Sequence, residues 1–113
     1  MSVTIYHNPR CSKSRQTLAI LEDKNVDHKV VEYLNNPPSR TELRRILGML
    51  DLKVHDIVRK KEAKEAGLDV DAMSEPELLD AMVNIPIIME RPIVVAGDKA
   101  VIGRPPENVI AII

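Results

Sequence analysis

The chain contains a single cysteine, Cys11, within the polar and basic segment from residue 7 to residue 15. The residues before this segment predict a β-strand and those after it predict an α-helix, so Cys11 falls where the helix begins. The first backbone N–H groups of a helix have no partner within it, and with the helix dipole they favour a negative charge. Arg10, Lys13 and Arg15 add positive potential nearby. The segment therefore predicts a reactive thiolate with a lowered pKa.

A lone cysteine is more often a buried and inert residue, but the polar setting of Cys11 argues against that interpretation. Because the chain has no second cysteine, a covalent intermediate on Cys11 must be discharged by an external thiol. Glutathione, or a glutaredoxin together with glutathione, fits this need. One cysteine and three scattered histidines do not match the spacing of a zinc site, so we expect neither a metal nor a bound cofactor.

Three arginines have apolar or proline residues as neighbours, namely Arg59, Arg91 and Arg104. A surface arginine is usually only solvated, which is the ordinary interpretation of each. Arg91 and Arg104, however, lie at the two outer ends of one predicted β-hairpin, and a hairpin brings its outer ends together. Two guanidinium groups placed there can bind the oxygens of one tetrahedral oxyanion in pairs.

The elements that position these residues follow from the hydrophobic pattern. The first third of the chain predicts a strand at 3–7, a helix at 12–24 and a second strand at 28–34. A right-handed crossover makes the two strands parallel, which completes a βαβ unit.

The middle of the chain is predicted to be helical. Ser39 and Ser74 each precede a glutamate by three residues, which is the capping-box signature of a helix start. Residues 54–66 continue the helical character, and Gly67 is a plausible helix stop.

The last part of the chain predicts a hairpin and a helix. Strands at 93–95 and 100–102 flank the turn-like Gly97-Asp98, and two consecutive prolines open a C-terminal helix running from residue 105 through 113. The order β-α-β, helical block, β-β-α predicts an α/β fold with a mixed four-stranded sheet and helices packed on it.

The composition limits the possible classes of protein. A chain of 113 residues has room for one domain, and 17 acidic against 16 basic residues give no case for nucleic acid or an anionic membrane as partner. No apolar run is long enough to span a bilayer, and the N-terminus lacks the pattern of a signal peptide. We therefore expect a cytoplasmic location.

These features together resemble a known family, the thioredoxin-fold arsenate reductases that use glutathione and glutaredoxin. The resemblance covers essentially the whole chain as one thioredoxin-like domain, 1–113, with a helical insertion at about 39–85. It rests on four motifs: His-Asn-Pro-x-Cys at 7–11 with Ser-Arg at 14–15, Val-Arg at 58–59, Arg-Pro-Ile-Val-Val at 91–95, and Gly-Arg-Pro at 103–105.

The resemblance implies roles for individual residues and an activity. Cys11 matches the nucleophile that attacks arsenate, and the three arginines named above match those that bind the oxyanion and stabilise the thiolate. His7 and Ser14 match residues that support the cysteine by hydrogen bonding, and Pro92 matches the cis-proline of the thioredoxin fold. Glutathione would be the co-substrate and glutaredoxin the protein partner, in arsenic detoxification.

Other interpretations remain open from the sequence. His7 could simply cap its strand, and Ser14 could satisfy a backbone group in the first helical turn. Spx regulators share the fold, bind RNA polymerase and sense oxidation through a Cys-x-x-Cys pair, but Ser14 stands where the second cysteine would be. A thiol oxidoreductase acting on another substrate, such as a glutathione mixed disulfide, is a third possibility. Arg10 and Lys13 also make this cysteine loop more basic than in the best-known form of the reductase.

Overall fold

The computed structural model describes residues 2–113, which form two compact units. The first unit comprises the residues up to Asn36 together with Arg91–Ile113, and the second comprises Pro37–Glu90. The predicted helical insertion at about 39–85 lies within the second unit. No helix among residues 2–113 combines the length and apolar character needed to cross a membrane.

The first unit is built on a four-stranded sheet. Its strands are β1 (Val3–His7), β2 (Lys29–Glu32), β3 (Ile93–Ala96) and β4 (Lys99–Ile102), in the spatial order β2-β1-β3-β4. The pairing of β1 with β2 is parallel, whereas β1 with β3 and β3 with β4 are antiparallel. The predicted mixed sheet is therefore confirmed, with helix α1 (Ser12–Asp23) as the crossover between the parallel strands.

One face of this sheet carries the hydrophobic core of the first unit. Alternate residues of β1 and β3 point to this face, because side chains along a strand alternate between its two sides. Burying each such aliphatic side chain contributes about 1.5–3 kcal/mol. The buried members of the core are Val3, Ile5, Leu21, Val94, Ala96 and Val109.

Two predicted elements of the first unit differ from the structure. Strand β2 is shorter than 28–34, because the carbonyl of Glu32 accepts the N–H groups of Asn35 and Asn36 and so closes a turn. The C-terminal segment is a 3-10 helix, Pro106–Ala111, and not a helix running through residue 113. In a 3-10 helix residues three apart share a face, which here buries Pro106 and Val109 together.

The second unit is mainly helical and contains α2 (Arg40–Leu50), α3 (Lys60–Glu65) and α4 (Glu75–Asn84). Ser39 caps α2 by accepting the N–H of Glu42. Ser74 and Glu77 form the complete capping box of α4 that the sequence predicted. Gly67 follows α3 with a φ of +80°, which is the left-handed conformation typical of a residue just after a helix.

The prediction of continuous helical character at 54–66 is wrong. Residues Val54–Ile57 form a 3-10 helix, the chain is extended at Val58 and Arg59, and α3 begins at Lys60. The interruption has a tertiary cause, since Val58 forms an antiparallel bridge with Met89. The hydrogen bonds of this bridge, Arg59 N to Ile88 O and Glu90 N to Ile57 O, are both 2.7 Å long.

Candidate active site

Cys11 is the N-cap residue of α1, with the extended backbone that precedes a helix (φ −91°, ψ 121°). Its N–H donates to the carbonyl of Asn8 at 3.0 Å, and its own carbonyl accepts the N–H of Arg15 at 3.0 Å. The cysteine is thus fixed both to the loop before it and to the first turn of the helix. The residue is half-buried.

The surroundings of the sulfur favour the thiolate. Burial raises the pKa of Cys11, but the backbone N–H of Ser14, the Arg91 guanidinium and the charge of Arg104 lower this pKa, with the N–H of Lys13 adding to them. The net effect places the pKa below that of an ordinary thiol. No acidic residue lies in the first turn of α1, so no carboxylate competes there for the helix N-terminus. The predicted direction of the pKa shift is confirmed.

The two arginines at the ends of the hairpin lie close together, and both act on the Cys11 sulfur. Their predicted binding of an oxyanion stays a prediction. The Arg104 side chain donates from Nη2 to Cys11 Sγ at 3.3 Å and from Nε to the carbonyl of Arg91 at 2.8 Å. The Arg91 guanidinium donates to the same sulfur. Two forked cations around one half-buried sulfur form a site suited to a small oxyanion held next to a thiolate.

The pairing of β3 with β4 positions these two arginines. Ile93 pairs with Ile102 at the outer end of the hairpin, and the N–H of Gly103 donates to the carbonyl of Pro92 at 2.9 Å. Arg91, two residues before β3, and Arg104, two residues after β4, therefore lie side by side at this paired end of the hairpin. The Arg91–Pro92 peptide bond is cis, as predicted, and so is the bond between Arg104 and the proline after it.

His7 and Ser14 are joined to each other beneath the cysteine loop, and both are buried. His7 Nδ1 lies 2.6 Å from Ser14 Oγ, and that hydroxyl also accepts the N–H of Asn8 at 3.0 Å. Burial lowers the pKa of His7 and Arg15 lowers it further, against the carboxylates of Glu32 and Glu22, which raise it. The imidazole of His7 is therefore uncharged at neutral pH. The Ser14 hydroxyl, held by His7, binds the loop backbone at Asn8, while the backbone N–H of Ser14 lowers the pKa of Cys11.

Arg59, the third predicted arginine, belongs to the second unit. Its guanidinium pairs with Glu62 at 3.2 Å and with Glu90 at 2.9 Å. Burial lowers the pKa of Arg59, but hydrogen bonds to Glu62 and Glu90 outweigh this effect and raise the pKa. Its predicted contact with substrate stays a prediction.

Three supporting residues were missed by the sequence reasoning. The Asn8 side chain accepts the N–H of Arg10 at 3.0 Å and shapes the loop before the cysteine. A Cβ atom on Gly103 would lie 2.5 Å from Thr17 Oγ1 and 2.8 Å from Pro92 Cγ, so only glycine fits between them. The Asn108 side chain donates to two carbonyls on either side of Gly103. The Asn-Pro and Gly-Arg-Pro motifs signalled the first two, whereas nothing local signalled Asn108.

The chain is similar to known proteins over nearly its whole length. The ArsC family model matches residues 6–112. The chain is 49% identical to the protein YfgD of Escherichia coli K12 over 98% of this chain and 96% of that protein. It is 45% identical to the arsenate reductase of Haemophilus influenzae over the full length of both chains.

A solved structure gives the same result for the fold. The arsenate reductase from Vibrio cholerae has a TM-score of 0.92 and 46% identity, covering 100% of this chain and 98% of that one. The fold is therefore the thioredoxin-like fold that the sequence predicted. With a family match over nearly every residue and relatives of this identity, the chain belongs to the ArsC family.

Proposed function

We propose that this chain is an arsenate reductase that uses the Cys11 thiolate as its nucleophile. One observation carries the proposal: the guanidinium groups of Arg91 and Arg104 meet at the Cys11 sulfur. Relatives named arsenate reductase, at 45–46% identity over the whole chain, support arsenate as the anion. The substrate would sit next to the sulfur with its oxygens held by the two arginines.

The first step forms a bond between sulfur and arsenic. The thiolate attacks the pentavalent arsenic, and one arsenate oxygen, protonated by the acid form of the bound anion, leaves as water. Arg91 and Arg104 stabilise the negative charge on the remaining oxygens, as preorganised donors do in other transfer reactions. Arsenic remains pentavalent in this adduct.

The second step is the reduction, and it requires a thiol from outside the chain because Cys11 is the only cysteine. A glutathione thiolate forms a disulfide bond with the Cys11 sulfur while the sulfur–arsenic bond breaks. The bonding pair stays on arsenic, which leaves as trivalent arsenite. Glutaredoxin then takes the glutathionyl group by thiol–disulfide exchange and restores the Cys11 thiolate. We propose glutathione as co-substrate, glutaredoxin as partner, no bound cofactor, and the cytoplasm as location.

Arg59 is proposed as a third ligand of the oxyanion. Its planar fork is already ordered by Glu62 and Glu90, so little side-chain freedom remains to be lost on binding. Replacement by lysine keeps the charge but loses the fork. A rise in KM for arsenate in Arg59→Lys, with unchanged Cys11 alkylation, would support the assignment, and an unchanged KM would contradict it.

The test of the function is arsenate-dependent oxidation of NADPH in the presence of glutathione, glutathione reductase and glutaredoxin. We expect turnover in the wild type, none in Cys11→Ser, and a loss of about 10²–10³ in kcat/KM in Arg91→Ala. Arg44→Ala, which removes an exposed arginine of α2, is the matched control and should keep full activity.

Two outcomes would redirect the proposal. Absence of turnover by a wild type whose Cys11 alkylates as a low-pKa thiol would reject arsenate and leave a thiol oxidoreductase with another substrate. A normal, unreactive thiol together with stable capture of RNA polymerase would favour an Spx-like regulator. The site gives no support to the second outcome, because Ser14 occupies the second position of the redox pair and is bonded to His7.

A further inference from the structure

Arg104 holds a defined position although it lies in an exposed segment after β4. A long side chain in such a segment loses much conformational freedom when it is ordered, so its position needs support. The contacts of its guanidinium with Arg91 and Cys11 supply part of this support. The remainder must come from whatever fixes the backbone of Arg104.

One side of that backbone is fixed by packing at Gly103. Its N–H donates to the carbonyl of Pro92, and its Cα lies so close to Thr17 that an added Cβ would be 2.5 Å from the hydroxyl oxygen. Thr17 is itself held, since its hydroxyl donates to the carbonyl of Lys13 at 2.8 Å. The peptide before Arg104 is therefore pressed against the first turns of α1.

The other support comes from Asn108. Its Nδ2 group donates to the carbonyl of Ile102 at 3.3 Å and to the carbonyl of Arg104 at 3.1 Å. Both acceptors precede the 3-10 helix that contains Asn108, which begins at Pro106. These bonds therefore do not belong to the hydrogen bonding of that helix. They join the end of β4 to the carbonyl of Arg104 across a single amide.

We propose that Asn108 is a positioning residue, whose side-chain amide clamps the backbone around Arg104 and thereby holds the Arg104 guanidinium against the Cys11 sulfur. The role is indirect, because Asn108 acts only through Arg104. Without the amide, the segment from Ile102 to Arg104 loses two hydrogen bonds, and the 3.3 Å contact with the sulfur is populated for a smaller fraction of the time. This inference rests on the proposed function only for its effect on arsenate turnover, and its effect on the thiol is independent of the substrate.

The experiment is a double-mutant cycle between Asn108 and Arg104. Asn108→Leu has a similar volume and no donor, and Asn108→Ala serves as a second variant should the first fail to fold. Arg104→Ala, the combined variant and Ile110→Ala complete the set. Ile110 lies on the same 3-10 helix and is 44% exposed, so it controls for a general disturbance of that helix.

The first readout is the rate of alkylation of Cys11 by iodoacetamide as a function of pH, which needs no arsenate. At a fixed pH below the titration midpoint we expect Asn108→Leu to slow alkylation roughly threefold, because less thiolate is present. In the Arg104→Ala background the same substitution should change the rate little, since interacting residues are not additive. The second readout, kcat/KM for arsenate, should follow the same pattern.

The outcomes separate the inference from the proposed function. Equal slowing of alkylation in both backgrounds, no slowing in either, or the same slowing in Ile110→Ala would each overturn the role of Asn108. A wild type that does not reduce arsenate would refute the proposed function, but the alkylation cycle would still decide whether Asn108 positions Arg104.

Discussion

Replacement of Arg104 separates two effects that one side chain combines in this site. In the resting protein its Nη2 group lies 3.3 Å from the Cys11 sulfur and stabilises the thiolate. During the reaction the same guanidinium is proposed to bind the oxygens of arsenate. Arg104→Ala removes both effects, whereas alkylation of the thiol reports only the first of them.

The structure suggests different magnitudes for the two effects. A hydrogen bond to a charged group contributes about 1.5–3 kcal/mol when buried. Arg104 is exposed and Cys11 is only half-buried, so solvent screening reduces this contribution to about 1 kcal/mol. That corresponds to roughly a fivefold loss of thiolate reactivity at a fixed pH below the titration midpoint. Loss of a donor to the transition-state oxyanion costs about 2.7–4 kcal/mol, or a factor of about 10²–10³ in turnover.

The assay therefore measures both rates on the same variants. For Arg104→Ala we expect roughly a fivefold loss in alkylation and a loss of about 10²–10³ in kcat/KM for arsenate. Arg104→Lys should keep most of the alkylation rate but little of the turnover, because a compact ammonium lacks the planar fork that directs donors to Arg91 O, the sulfur and an oxyanion at once. Arg10→Ala, which removes an exposed charge next to Cys11 in sequence, should change either rate less than about threefold.

Equal losses in the two rates of Arg104→Ala would refute this reasoning. Arg104 would then act on the thiolate alone, and the oxyanion would have to be held by other residues.

Three further predictions concern the stability of the fold. Burial lowers the pKa of His7 below its ordinary value of 6.5, so the unfolded chain binds more protons than the folded one. The free energy of unfolding should therefore fall as the pH drops below about 6.5. Urea unfolding at several pH values should show a smaller fall in His7→Gln, and falls of equal size in both proteins would contradict the assignment. Gly103→Ala should destabilise the protein by about 1–3 kcal/mol through overpacking against Thr17. The control Gly48→Ala, in a helix with open space around the new Cβ, should stabilise it by about 0.5–1 kcal/mol, so equal effects on thermal unfolding would count against the packing argument. Ser74→Ala should lose about 1 kcal/mol because it removes the capping box of α4, and an unchanged urea midpoint would show that the cap contributes nothing.

Local sequence signals were sufficient for much of the fold. The hydrophobic pattern of β1, the helical spacing after Cys11, the Gly-Asp turn of the hairpin and the caps at Ser39 and Ser74 depend on neighbours a few residues away. Such signals are readable because turn and capping preferences arise within one turn of the chain. The same locality explains the error at Val58, where a bridge to Met89, 31 residues away, overrides helical character.

The features of the candidate site likewise fall into those that local sequence predicts and those that depend on tertiary structure. The sequence by itself determined the position of Cys11 at a helix start and the placement of Arg91 and Arg104 at the ends of a hairpin, since both depend on local elements. Only the tertiary structure decided which groups lower the pKa of the thiol. The charges that act on the sulfur come from the hairpin, 80 or more residues away along the chain, while Lys13 contributes through its backbone N–H. The amide of Asn108 likewise became visible only once the chain was folded. Electrostatic and hydrogen-bond contributions depend on distance in space, which the order of residues does not specify until the sheet has brought its strands together.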